Sequence, residues 1–305
     1  SLVVKIDVPK FNADSAYQFV ANQVDFGPRV PGSAEHSACA NWLENKFKSY
    51  TRHVYTQEGS ALRYDGKPIP FKNIIAQFNP NKKRRVLLCA HWDTRYIADQ
   101  DTARQGEPID GANDGGSGVG VLLEIARVLS NDSLQMGVDI VLFDAEDQGQ
   151  PSDGGGYPMQ DHTWCLGSQH WAKNPIPKNY KANFGILLDM VGDREAVFTR
   201  EGTSNYYAPG VMDKVWKTAQ KLGYGGYFVN SKTDPITDDH LYINEILRTT
   251  PTIDIIHRNP NADAFAPSWH THEDNMKNID KNSLAAVGET VLTVLYYEAV
   301  GKQIY

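Results

Sequence analysis

The segment Leu142-Phe143-Asp144-Ala145-Glu146-Asp147 places three carboxylates within four residues, just past an apolar run (138–143) broken once by Asp139. Like charges packed this closely repel, and a bound cation offsets that cost. Neighbouring side chains on an extended segment point opposite ways. One member of Glu146-Asp147 can then hold a metal while the other faces the reacting groups. Four further groups of Asp and His stand where strands or loops end: His91-Trp92-Asp93, Asn113-Asp114, Leu188-Asp189 and Trp269-His270-Thr271-His272. Such clusters indicate a metal-assisted active site.

Each group also has a plainer reading. His91 suits a metal with Asp93 orienting it, or simply bonds a neighbouring backbone group. Asp114 lies in Asp110-Gly111-Ala112-Asn113-Asp114-Gly115-Gly116-Ser117-Gly118, ahead of a helix, where Asp is a good N-cap. Ser117 and the glycines can cap as well, which frees Asp114 to be a ligand. This loop lacks the Gly-Lys-Ser/Thr of a phosphate-binding loop and the spacing of a dinucleotide fingerprint. Asp189 ends the apolar Ile186-Leu187-Leu188 and needs a metal, a shared proton or a backbone donor. In Asp238-Asp239-His240 either Asp can cap the helix that follows. His270 and His272 share one face if extended, so spacing does not choose between them. Trp269 offers an apolar wall with one N–H donor. No His-Glu-x-x-His helix and no Gly-x-Ser-x-Gly elbow occurs.

The 305 residues, 41% hydrophobic, can fill a sizeable core. A net charge of −7 and a pI near 5.7 argue against nucleic acid as a partner. The basic run Lys82-Lys83-Arg84-Arg85 reads as a solvated turn before a strand. Cys39, Cys89 and Cys165 are too few and scattered for a disulfide framework or a thiolate zinc site, and Cys89 reads as a small buried hydrophobe. No apolar segment approaches the ~20 residues that span a bilayer. The chain opens at Ser1 without Met, consistent with a processed export signal.

The elements that must position these residues alternate. Helices are expected at 12–24 and 34–50, strands at 53–57, 71–78 and 86–91, a helix at 117–129 and a strand at 138–143. A helix after Leu166, a strand at 184–188, helices at 211–222 and 239–247, a strand at 252–256 and a helix at 283–297 complete the pattern. The segments 95–111 and 148–165 read as long functional loops. The fold class is α/β: one domain over 1–305, with a central, twisted, mostly parallel (mixed) sheet and helices on both faces.

The order His91-x-Asp93, Gly111-Ala112-Asn113-Asp114, Glu146-Asp147, Asp189, His270 resembles the zinc-dependent aminopeptidases. With Gly27-Pro28-Arg29-Val30-Pro31-Gly32-Ser33, Asp238-Asp239-His240 and Trp269-His270-Thr271-x-Glu273-Asp274-Asn275, the chain is most similar within that superfamily to the animal-type glutaminyl-peptide cyclotransferases and their bacterial relatives. The resemblance runs from about Phe26 to Tyr297. It implies a zinc-aminopeptidase-like fold and conversion of an N-terminal glutamine to pyroglutamate with release of ammonia. It implies Asp114, Asp147 and His270 as ligands to one zinc ion, Glu146 as general base and acid, Asp189 and Asp238 as the proton and hydrogen-bond network, and Trp269 as a substrate-binding wall. Its partners are peptides or proteins with N-terminal glutamine, in a periplasmic or secreted setting, and no oligomeric state is specified. Two departures stand out: Asp147 replaces the animal enzymes' Glu, and the 148–165 loop differs. The family's cysteine pair has no match. His91, Asp114, Asp147, Asp189 and His270 also supply every position of a two-zinc aminopeptidase, so that alternative and a second ion stay open.

Overall fold

The computed structural model describes residues 5–305. Its strands are β1 (Val54–Leu62), β2 (Pro68–Phe78), β3 (Arg85–His91), β4 (Gly137–Phe143), β5 (Phe184–Asp189), β6 (Phe198–Glu201), β7 (Phe228–Thr233) and β8 (Thr252–Ile256). Its helices are α1 (Ala13–Asp25), α2 (Ala34–Lys48), α3 (Gly116–Ser130), α4 (Leu166–Lys173), α5 (Gly202–Tyr207), α6 (Pro209–Lys221), α7 (Asp239–Tyr242) and α8 (Lys281–Ala299). Six strands form one sheet in the order β1-β2-β4-β3-β5-β8, and β6 pairs with β7 apart from it. The edge β1-β2-β4 is antiparallel, while β4, β3, β5 and β8 run parallel.

Strand alternation divides the core. Val86, Leu88 and Ala90 of β3 face the layer that holds α1, α2, α3, α6 and α8, whereas Leu87 and Cys89 face Trp171 of α4 and Ile243. Because both faces are covered, the parallel strands read as continuous apolar runs. Asn12 caps α1 by accepting from the Ser15 N–H, and Ser33 caps α2 through the His36 N–H.

Three expectations change. The basic run is only partly solvated, because Arg85 is buried and its guanidinium meets the equally buried Asp139 at 2.7–2.8 Å. The lone acid of the 138–143 run and the last base of the preceding turn thus satisfy one another. The helix expected through 247 stops as regular α-helix at Tyr242 and widens over Ile243–Leu247. The pair β6/β7 and the short α5 carry too little apolar periodicity to be read from sequence.

Among the described residues no helix is long and apolar enough to cross a membrane. The carboxyl ends of β3, β4, β5 and β8 all open on one side, where open α/β sheets place their sites.

Candidate active site

At that edge Asp114, Asp147 and His270 come together: one ligand atom from each lies within 4.8 Å of the other two. His270 Nε2 stands 2.9 Å from Asp147 Oδ1 and 3.4 Å from Asp114 Oδ2. Asp114 Oδ1 is 2.9 Å from His91 Nε2. The same His91 nitrogen lies 3.4 Å from Asp189 Oδ1 and 3.7 Å from Glu146 Oε2. Segments more than 150 residues apart in sequence thus converge on one small volume.

Local structure explains how. Asp114 does not cap α3, whose N-cap is Gly115 with no side-chain cap. Instead the loop is held from outside: Asp274 accepts from the N–H groups of Asn113 and Asp114 at 2.7 and 3.1 Å. A Cβ on Gly115 would collide with the His91 carbonyl, and one on Gly118 with that of Leu188, so the helix start packs directly on β3 and β5. The acidic segment leaves its strand at Phe143, and Ala145 adopts φ +52°. Strand alternation is therefore not what orients Glu146 and Asp147. Asp93 does this, accepting from the Glu146 N–H with one oxygen and the Asp147 N–H with the other, both at 3.1 Å. It also lies 3.2 Å from His91 Nδ1, so it positions rather than ligates. Asp144 points away and pairs with buried His36 at 2.8 Å.

His270 sits in a turn with φ +54°, not a strand, which separates it from His272. The His272 ring is held by the Arg104 carbonyl, outside the cluster. His270 stacks between Trp269 at 4.0 Å and Trp164 at 5.9 Å, and its Nδ1 lies 3.2 Å from Asp99 Oδ1. Arg95 grips Asp99 through two hydrogen bonds and also donates to the carbonyls of Asp147 and Gly149. Asp99 and Arg95 were given no role from sequence, and Trp164 only membership of its long loop. Their signal was the length of the two loops that carry them.

The electrostatics follow from burial. Burial holds the Glu146 carboxyl well above its ordinary range against the pull of His91. Asp147 is pushed up to about 6 by burial and then by Asp114. Burial also raises Asp189 against His91, and with Asp189 it pushes Asp238 up to about 7. For Asp114 burial is outweighed by hydrogen bonds from His270 and His91, which lower it. Asp238 caps α7 through the Asp239 N–H, with Asp254 and the 2.7 Å His240–Glu201 pair behind it. The buried Asp147 Oδ2 and Asp189 Oδ1 have no hydrogen-bond donor. Buried carboxylates in excess of their donors, joined by imidazole nitrogen, form a donor set that fits zinc.

A cavity of about 350 Å³ opens on this cluster. Glu146, Asp189, Asp238 and Trp269 all line it, together with Trp164, Ile256 and Phe265. His91 does not line it and is fully buried beneath.

Residues 73–295 match Peptidase family M28. The chain belongs to that family. Among M28-like relatives it is 32% identical to aminopeptidase YwaD of Bacillus subtilis over 242 residues, 76% of this chain but 45% of YwaD. It therefore spans less than half the length of that curated relative. The solved structure of Tannerella forsythia glutaminyl cyclase is 52% identical with a TM-score of 0.91, covering 94% of this chain and 99% of that one. A Zn-dependent exopeptidase from Parabacteroides distasonis is 49% identical with a TM-score of 0.92, covering 95% and 99%. The α/β architecture of this M28 chain, a central sheet flanked by helices, is thus shared along nearly its whole length.

Proposed function

We propose that this chain is a zinc-dependent glutaminyl-peptide cyclotransferase that closes an N-terminal glutamine to pyroglutamate and releases ammonia. One observation carries the reading. Trp269 and Asp238, on which the cyclase pattern rests against a plain aminopeptidase, line the same cavity as Asp114, Asp147 and His270. The match to a glutaminyl cyclase over 99% of its length, against 45% of YwaD, supports the same choice.

Asp114, Asp147 and His270 would hold the ion. Zinc bound there supplies Lewis-acid polarisation of a carbonyl oxygen. Glu146 accepts a proton from the substrate's α-amine as that nitrogen bonds to the γ-carbonyl carbon. The carbon–nitrogen bond of the side-chain amide then breaks, and the proton passes from Glu146 to the departing ammonia. Positioned proton transfer of this kind typically gives ~10²–10⁴-fold. Nucleophile and carbonyl belong to one residue, so the cavity need only fold it into the reactive shape. Asp189 and Asp238 share a proton and hold the amine in place, while Trp269 and Phe265 pack on the side chain and exclude water.

Two-zinc aminopeptidase chemistry is the second reading, favoured by the contact of His91 with both Asp114 and Asp189. Incubation with a glutamine-initiated peptide and with an aminoacyl anilide separates the two. Cyclisation predicts loss of one ammonia per peptide with no residue removed, abolished by chelation and restored by zinc. Anilide hydrolysis with an unchanged glutamine peptide would overturn the proposal.

A further inference from the structure

Glu146 is the reacting group of the proposed chemistry, yet its carboxylate has only one hydrogen-bond donor among the described residues. Cys165 Sγ lies 3.5 Å from Glu146 Oε1. The other oxygen, Oε2, faces His91 at 3.7 Å, beyond hydrogen-bond reach. Cys165 is completely buried, and its thiol lies with Glu146 and Asp238 in a group whose polar atoms are all within 4.8 Å of one another. Asp238 in that group is itself buried with Oδ2 unpartnered.

The main chain fixes this thiol against Glu146 as firmly as the side chain does. Three successive amides, of Cys165, Leu166 and Gly167, donate to the carbonyls of Glu146, Ala145 and Asp144 at 2.9–3.0 Å. Cys165 takes φ +58° at the start of α4, which turns its side chain back over the acidic segment. Burial, with Asp239 and Glu146 nearby, keeps the sulfur protonated. An S–H in that setting is a donor, and the nearest acceptor is the base.

We infer that Cys165 is a positioning residue for the proposed cyclisation, its buried S–H holding Glu146 Oε1 and so fixing the orientation of the carboxylate that takes the amine's proton. The inference rests on Glu146 acting as the base. A thiol is a weak donor, so it fixes direction while leaving the carboxylate its reactivity. The role is neither nucleophilic nor metal-binding: no bond to sulfur forms or breaks.

Three measurements test it, beginning with wild-type protein on a glutamine-initiated peptide. No turnover there defeats the cyclase reading itself. Given turnover, Cys165→Ala is expected to lower kcat roughly three- to tenfold with KM within twofold, at unchanged zinc content and melting temperature. Cys165→Ser, which restores a donor, is expected to recover most of that loss. Full kcat in Cys165→Ala, or a Cys165→Ser no faster than the alanine variant, overturns the inference. A reading that does not depend on the alanine variant folding comes from infrared spectroscopy. The S–H stretching band that disappears in Cys165→Ser should move on Glu146→Gln, and a band unmoved by that change also overturns the inference.

Discussion

Two buried aspartates on parallel strands of one sheet, β4 and β5 on either side of β3, have opposite surroundings. Asp139, in the middle of β4, accepts from Gln77, from Arg85 twice and from Tyr180, at 2.6–2.9 Å, which fills both oxygens. Asp189, at the carboxyl end of β5, keeps Oδ1 without a hydrogen-bond donor, 3.4 Å from the His91 ring, with the carboxyl of Asp238 beside it. Burial costs both carboxylates their water. At Asp139 the protein returns every hydrogen bond, and the result is a strut between β2, β4 and the start of β3. At Asp189 one oxygen receives no such bond, and two acidic neighbours, Asp114 and Asp238, stand close by. Satisfaction marks structure, and its absence marks chemistry.

The contrast can be broken from either end. The largest expected effect is at Glu146: Glu146→Gln should lower kcat by ~10²–10⁴-fold with zinc content intact, checked by steady-state kinetics and metal analysis. Unchanged turnover would remove the assigned base. Next is Arg85→Met, which strands Asp139 and should cost about 3–5 kcal/mol in denaturant unfolding while folded enzyme keeps its kcat. Asp238→Asn should behave oppositely, slowing turnover while raising stability by about 1 kcal/mol, because it removes a buried charge beside Asp189. If that variant loses stability as Arg85→Met does, the two ends do not differ.

The smallest effect is a pH dependence in a second cleft, lined by Asp193 and His257 among others. Burial lowers His257 to about 4, against about 6.5 unfolded, so the unfolded chain binds its proton first. His257 therefore erodes stability as pH falls from about 6.5 to 4 and no further below that. Burial raises Asp193 to about 6, against about 3.9 unfolded, so it weakens the fold above pH 6 and is relieved as pH falls toward 4. Both slopes lie in the same window with opposite signs, so His257→Gln should remove a fall in melting temperature on acidification from about pH 6.5 to 4, and Asp193→Asn a rise from about pH 6 to 4. Identical profiles would contradict both assignments.

Where the chain's own periodicity decides structure, the sequence was readable. The apolar runs of β3, β4, β5 and β8 sat where expected, because strands buried on both faces leave an uninterrupted signature. Three of the acidic and histidine groups, at His91, Glu146-Asp147 and Asp189, were legible for the same reason, since each ends such a run. What could not be read was set by partners distant in sequence. Arg85 looked solvated because Asp139, which buries it, lies 54 positions away. The orientation of Glu146 and Asp147 looked like strand alternation, but Asp93 imposes it through two backbone bonds. His270 and His272 were indistinguishable until a turn, rather than a strand, carried them. Asp99 and Trp164 lie in irregular loops, where no period announces a side chain's direction.

The amide contacts of Cys165, Leu166 and Gly167 onto Glu146, Ala145 and Asp144 close a neck beneath the excursion 148–164. The first residues above that neck also serve the site, since Gln148 donates to Asp93 and to the Thr94 carbonyl and the Gly149 carbonyl accepts from Arg95. The excursion still lends Trp164 to the cavity wall. Its two ends therefore belong to the reaction centre, and only the stretch between them is free of those ties.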